Sequence, residues 1–172
     1  MKPLFLEKHH IIMSLNAYLR LKGSDQGEIK GSVNQKGKEG SIFVQAASHQ
    51  LIAPTALVHA GGTAGKLHHQ PFKLVKETDR ATPMLYKALV NNEILSEFRL
   101  DFYRQTGNAV LVQNVYSVRL INPRIIAIDF TMPHASKPEE SKLNEFEEIS
   151  FVYEKIEWQW FSGNALFDTA WQ

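Results

Sequence analysis

The chain contains no cysteine. That removes disulfides, thiol nucleophiles and cysteine-based metal sites together, so stability has to come from packing. It also lacks charge of one sign. Nineteen Lys and Arg against eighteen Asp and Glu leave a formal net charge of +1, and the basic residues are scattered without an aromatic-interleaved run. Nucleic acid is therefore not expected as a partner. Long apolar runs are missing too. No stretch approaches the length of a membrane-spanning helix, and Glu7, Lys8, His9 and His10 interrupt the short apolar run Pro3 to Leu6 before it amounts to a secretory h-region. Neither membrane insertion nor a Sec signal is expected.

Signatures of catalysis are equally scarce. His68-His69 are adjacent, so on a strand they point to opposite faces, and neither an HExxH nor a Cys/His ligand spacing occurs. His49, His59 and His134 are far apart in sequence and read as ordinary polar or interface residues. Glu139-Glu140 lie in a lysine-containing polar segment, and Glu147-Glu148 open a strand, where only one of the two faces inward. No G-x-S-x-G occurs, and Gly61 to Lys66 fails the phosphate-loop spacing because Leu67 follows the lysine. No catalytic residue, metal or cofactor is expected, and the chain is read as a non-enzyme.

What is present is a chain of 172 residues, 44% hydrophobic and 22% charged, sized for one domain with a substantial core. The most informative stretch is Glu147 to Trp160. Ile149, Phe151 and Tyr153 alternate in one register and Ile156, Trp158 and Trp160 in the other, so a bulge or bend near Glu154 and Lys155 is needed for both sets to serve one core. Ala17, Leu19 and Leu21 alternate in a first strand. Gly27 to Gly40 reads as turns or a weak hairpin, Ser41 to Ala47 and Gln50 to Val58 as extended, and His69 to Glu77 as a strand. Thr82 reads as the N-cap of one helix, with Pro83 in its first position, Leu85, Ala88 and Leu89 as its apolar stripe and an end near Asn91-Asn92. Phe98, Leu100 and Phe102 alternate, Gly107-Asn108 marks a hairpin into Val110 to Ile121, Pro123 interrupts, and Ile126, Ile128 and Phe130 begin another strand. Many short strands, one helix and no β-α alternation predict a mainly β fold: a closed antiparallel barrel or sandwich, two packed sheets with one flanking helix.

Two features look outward. Ala60, Gly61, Gly62, Thr63, Ala64 and Gly65 are small and nearly uncharged, as in a projecting loop. Leu111, Val115 and Ile121 lie opposite the even apolar face of their strand, and Val152 opposite Ile149 and Phe151. Cover by the helix or a loop explains any one of them. One short helix does not easily cover both strands, which makes contact between subunits the second reading. Trp158, Trp160 and Trp171 would suit a carbohydrate platform, but the alternation of the first two favours the core.

The order of motifs carries a resemblance. E-E-I-S-F-x-Y-x-K-I-E-W from Glu147, Asp168-x-x-Trp171, His69-Gln70-Pro71-Phe72-Lys73, the helix Thr82 to Leu89, Phe102-Tyr103-Arg104 before Gly107, and Met132-Pro133-His134 stand in the order and approximate spacing of the haemolysin-coregulated proteins. Those are the tube subunits of bacterial type VI secretion, and the resemblance spans nearly all of residues 14 to 171. Met13 with S-L-N-A-Y-L-R-L-K-G is similar to the family's opening. Residues 1–12 are accordingly expected as a leader or extension, and 13–172 as the barrel domain. Pro123 and the apolar tail from Phe161 depart from the family's usual pattern. The resemblance implies a homohexameric ring, a ring size that nothing else in the sequence supplies. It also implies stacking of rings through Ala60 to Leu67, with Lys66 and Leu67 completing that loop, and partners in the spike, the sheath and effector proteins in the lumen. It further implies a cytoplasmic protein that is secreted on firing. The alternative is a monomeric ligand-binding barrel, for example a sugar-binding module, and the mass of the native assembly separates the two.

Overall fold

Three short corners, each of one or two residues, organise this chain, because at each of them a strand leaves one sheet and its successor enters another. They are seen in a computed structural model that describes residues 16–53, 66–105, 112–140 and 142–171. The strands are β1 (Asn16–Gly23), β2 (Gly27–Ile29), β3 (Ile42–Val44), β4 (Ala46–Ser48), β5 (Leu51–Ile52), β6 (His68–His69), β7 (Phe72–Glu77), β8 (Leu95–Gln105), β9 (Val112–Ile121), β10 (Arg124–Thr131), β11 (Phe146–Val152), β12 (Lys155–Trp160) and β13 (Ala165–Ala170). The helix α1 (Thr82–Val90) stands between β7 and β8. One sheet runs β13-β12-β9-β8-β1, and β2 and β3 share the far edge of β1 at Leu21 to Gly23 and Ala17 to Leu19 respectively. The second sheet runs β10-β11-β7-β4, and β5 pairs with β6 as a separate ribbon. All of these pairings are antiparallel.

The corners lie at Gln45 between β3 and β4, at Asn122-Pro123 between β9 and β10, and at Tyr153-Glu154 between β11 and β12. Turning the chain between sheets in this way is how two crossed sheets are joined around one core. Asn122 adopts a positive φ of 48°, a region that Asn tolerates better than most residues. Pro123, without an N–H, contributes only its carbonyl, which accepts from Leu95 N at 2.8 Å. The third corner is the bend that the parity change required. It lets Ile149, Phe151, Tyr153 and Ile156 enter the same core, with Trp158 packed against them. Trp160 does not follow: at the strand end it is exposed and lies under the guanidinium of Arg104.

The mainly β fold with two packed sheets and one helix is as expected, but it does not close into a single hydrogen-bonded barrel. Among the described residues the ladders break at the corners and leave separate sheets. Phe98 joins the sheets from within, edge to face with Phe72 at 5.7 Å and Phe151 at 5.1 Å between ring centroids.

Two local expectations need correction. Ala81, not Thr82, is the N-cap, Thr82 begins the helix and Pro83 follows, because the Thr82 hydroxyl is drawn into a buried polar cluster and does not cap. His69 to Glu77 is two strands, broken at Gln70-Pro71, with β6 paired to β5 and β7 inside the second sheet. The helix does end at Asn91-Asn92, where Asn92 takes φ 49° and its amide donates to Leu89 O. Residues 1–12, the Gly107-Asn108 hairpin, Val110 and the Pro54 to Val58 part of the predicted extended segment lie outside the described residues.

Candidate functional site

The residues singled out from sequence as interface positions fall in different surroundings. Leu111 and Ala60, Gly61, Gly62, Thr63, Ala64 and Gly65 lie outside the described residues. Lys66 is exposed and Leu67 half-buried where the chain enters β6. Val115 is the extra residue of a β-bulge, since Phe102 pairs with Tyr116 and Tyr103 with Asn114. Its carbonyl accepts from Phe161 N at 3.1 Å, and its side chain is half-buried. Val152 closes β11 opposite Arg124, half-buried in a surface cleft shared with Asn122, Tyr153, Glu154 and Trp171.

Apolar surface that the sequence reading did not single out gathers on the edge strands. β10 ends the second sheet, and a bulge between Ile125 and Ala127 turns Ile126 outward, 48% exposed, followed by Phe130 at 54% and Met132 at 71%. β13 ends the first sheet, with Leu166 and Phe167 at 62% and 65%, Phe167 stacked on Trp158. An exposed apolar edge invites pairing or cover by another chain. The signal for β13 was the adjacent pair Leu166-Phe167. For β10 it was hidden, because the bulge that turns Ile126 outward has no local signature.

The charged groups inside the protein are paired rather than poised. Lys76 and Glu147 are 1% and 0% exposed, and the ammonium meets Glu147 Oε2 at 2.9 Å, Asp79 Oδ1 at 3.0 Å and Thr82 Oγ1 at 3.0 Å. The Thr82 hydroxyl donates to Glu147 Oε2 at 2.9 Å and accepts from Asp79 N at 3.1 Å. This cluster fixes the start of α1 to β7 and β11. Glu148, one residue on, faces the other side and pairs with Lys73 at 2.7 Å, so Glu147 and Glu148 do not converge. Glu93 latches the β1–β2 turn. Burial raises its pKa, but donation from the Gln26 and Asp25 amides and the Gln26 side chain outweighs this and holds the carboxyl below the usual range. Asp101, buried beside the β8–β9 bulge, accepts from Arg99 Nε and Asn114 Nδ2, both at 2.9 Å, and from Ser117 Oγ. Lys38 sits 4.4 Å and 4.0 Å from the ring centroids of Tyr18 and Tyr103, and burial pushes its ammonium pKa down.

The histidines divide as their positions dictate. His68 is exposed and His69 buried, on opposite faces of β6 as adjacent strand residues must be. His134 lies in an exposed turn, and His59 is outside the described residues. His49 and His69, which nothing in the sequence brought together, meet at the Tyr153 hydroxyl, at 2.5 Å from His49 Nε2 and 3.0 Å from His69 Nδ1. Among the described residues there is no group of three or more His, Cys, Asp or Glu side chains arranged to hold a metal ion.

What this geometry offers is exposed apolar surface on two edge strands. The major exported protein of Pseudomonas aeruginosa is 29% identical over 155 residues, covering 85% of this chain and 89% of that one. The structure of the Hcp1 protein from the E. coli EAEC 042 pathovar superposes with a TM-score of 0.79 at 31% identity, over 92% of this chain and all of the other. The crystal structure of an Hcp protein gives 0.81 at 23% identity, over 92% and 99% of the two chains, and speaks to the fold alone. The family model described as type VI secretion system effector, Hcp, matches residues 18–160, taking in strands of both large sheets, and the chain belongs to that family.

Proposed function

We propose that this chain is a non-enzymatic structural subunit of the type VI secretion inner tube. Six copies close into a ring, rings stack, and the stack is expelled with the spike by a contracting sheath, carrying effectors in its lumen. The observation that carries this reading is the family match over residues 18–160. Support comes from the apolar side chains exposed on two of the edge strands, β10 and β13, of a single subunit, since surface of that kind is covered in a soluble assembly. The subunit waits in the bacterial cytoplasm and leaves the cell on firing; the name of the Pseudomonas relative, major exported protein, supports the export alone.

In this reading Leu111, Val115 and Val152 lie between neighbouring subunits and Ala60 to Leu67 between stacked rings. Light scattering and native mass measurement at micromolar concentration test the ring, and a species of six subunits is the expected result. A monomer would favour a ligand-binding barrel instead. Val152→Glu is expected to dissociate the ring while changing the stability of the subunit by no more than about 0.5 kcal/mol, the range of ordinary surface substitutions. A ring that persists while the fold weakens would make Val152 a core position instead. Replacing Ala60 to Gly65 by a short turn should leave rings intact but reduce tubes in electron micrographs. Tubes of normal length would remove the loop from ring stacking.

A further inference from the structure

We propose that His49, Tyr153 and His69 form an acid-sensitive latch that holds the β5–β6 ribbon and the C-terminal Trp171 against the two large sheets. The latch belongs to the subunit itself and stands whether or not subunits form rings.

The ribbon has little strand pairing to fix it among the described residues, while Trp171, just past the end of β13, is also held by its amide donating to Glu154 O at 2.8 Å. The ribbon consists of two two-residue strands, paired as Leu51 with His69 and Ile52 with His68 and flanked by one further bond from Gln70 N to Gln50 O at 3.0 Å, and it joins neither large sheet by strand pairing. A ribbon of that size is not stable alone. His49 precedes β5, His69 lies within β6, and Tyr153 occupies the corner between β11 and β12. Trp171 packs on two of the three rings, at 5.5 Å from His69 and 5.0 Å from Tyr153. His49 is backed by Phe72 at 5.6 Å and Trp158 at 6.1 Å. Tyr153 at the corner thus joins the ribbon through its hydroxyl and the tail through its ring.

Hydrogen-bond accounting makes the latch depend on neutral rings. His69 Nε2 is buried and has no hydrogen-bond partner among the described residues. A buried N–H without an acceptor costs more than an unused lone pair, so Nε2 is the unprotonated nitrogen and Nδ1–H donates to Tyr153 Oη. The single Tyr153 proton is then donated to His49 Nε2. A second proton on His69 would create a buried donor with nothing to receive it. A proton on His49 Nε2 would face the Tyr153 O–H, donor against donor.

Among the described residues no carboxylate is placed to absorb either charge. From β7, Lys73 lines the cleft beside His49, but its ammonium pairs with Glu148 of β11. At the corner Glu154 accepts from Asn122 at 2.8 Å, and Arg124 of β10 donates to Asn92 O. Glu157 of β12 and Asp168 of β13 share Lys155, while His68 of β6 faces the exposed side. Burial pushes His49 down, with a further contribution from His69, and burial pushes His69 down as well. Since the folded latch disfavours the protonated rings, its stability is fully present above the ordinary histidine pKa of about 6.5. It is lost as pH falls below that value toward the lower folded pKa values.

Nuclear magnetic resonance of the histidine rings and Trp indoles, with amide hydrogen exchange, tests this on the full chain over the acid range. The expected result is that the His49 and His69 rings titrate together below about 6.5, that the Trp171 indole signal moves with them, and that protection at Leu51–Ile52 and His68–His69 is lost while Phe72–Glu77 stays protected. Rings that titrate with the Trp171 signal and the ribbon amides unchanged would overturn the proposal. The double variant His49→Gln, His69→Asn, whose amides do not titrate, is expected to abolish the pH dependence of exchange in the ribbon, and retention of that dependence would also overturn it. Should the variant not fold, the wild-type ring titration decides alone.

Discussion

Replacing Lys76 by Met is expected to cost about 3–5 kcal/mol of folding stability, the usual consequence of removing one partner from a buried ion pair. Lys76 and Glu147 are 1% and 0% exposed, and the ammonium serves two carboxylates and a hydroxyl. Without it the Glu147 carboxylate, whose Oε1 already lacks a partner among the described residues, stays buried with one donor from Thr82. Glu147→Gln should cost less, about 1–3 kcal/mol, because Lys76 keeps Asp79 at 3.0 Å. The double variant Lys76→Met, Glu147→Leu is expected to regain much of the loss, since two apolar side chains of similar volume remove both fully buried charges and leave only Asp79, which is less buried and still accepts from Ala81 N and Ser32 N. Urea denaturation at neutral pH measures all three. If Lys76→Met costs under about 1 kcal/mol, the level of an exposed pair, the cluster is solvated and its role in seating α1 is refuted.

The second large effect is expected at Phe98, where truncation to Ala should cost about 3–5 kcal/mol through lost transfer energy and the cavity left behind. Phe98 is 2% exposed and stands on β8 of the first sheet against Phe72 and Phe151 of the second. Its ring is thus shared by both sheets, and neither collapses into the space without moving relative to the other. Phe167→Ala, at an exposed ring stacked on Trp158, provides the contrast and should stay within about 1 kcal/mol. Equal costs at the two positions would contradict a core centred between the sheets.

Much of the local structure was legible because its determinants lie within a few residues. The alternation of Ala17, Leu19 and Leu21 yields β1 with all three buried, and Leu85 with Ala88 marks the buried face of α1. The N-cap was misread for a reason that is not local. Thr82 has the side chain of a cap, but its hydroxyl donates to Glu147, 65 residues away, and its oxygen accepts from Lys76 Nζ and Asp79 N. Val115 was read as a side chain on one face of a regular strand, whereas it is the extra residue of a bulge whose register depends on β8.

The sequence by itself determined the class of the molecule: a cysteine-free, mainly β chain with one helix, a bend before Lys155 and a series of motifs whose order pointed to the Hcp family. Period-two alternation, turn residues and helix ends are properties of neighbours along the chain, so a sequence displays them directly. Only the tertiary structure decided which sheet each strand enters, that Lys76 meets Glu147 across 71 residues, and that His49 and His69 converge on Tyr153 from 104 and 84 residues away. Those contacts follow from strand order and from the corners at Gln45, Pro123 and Glu154. A corner shifts every residue beyond it into a different sheet, and nothing in the pattern of residues near the corner states which residues of the other sheet will then lie opposite.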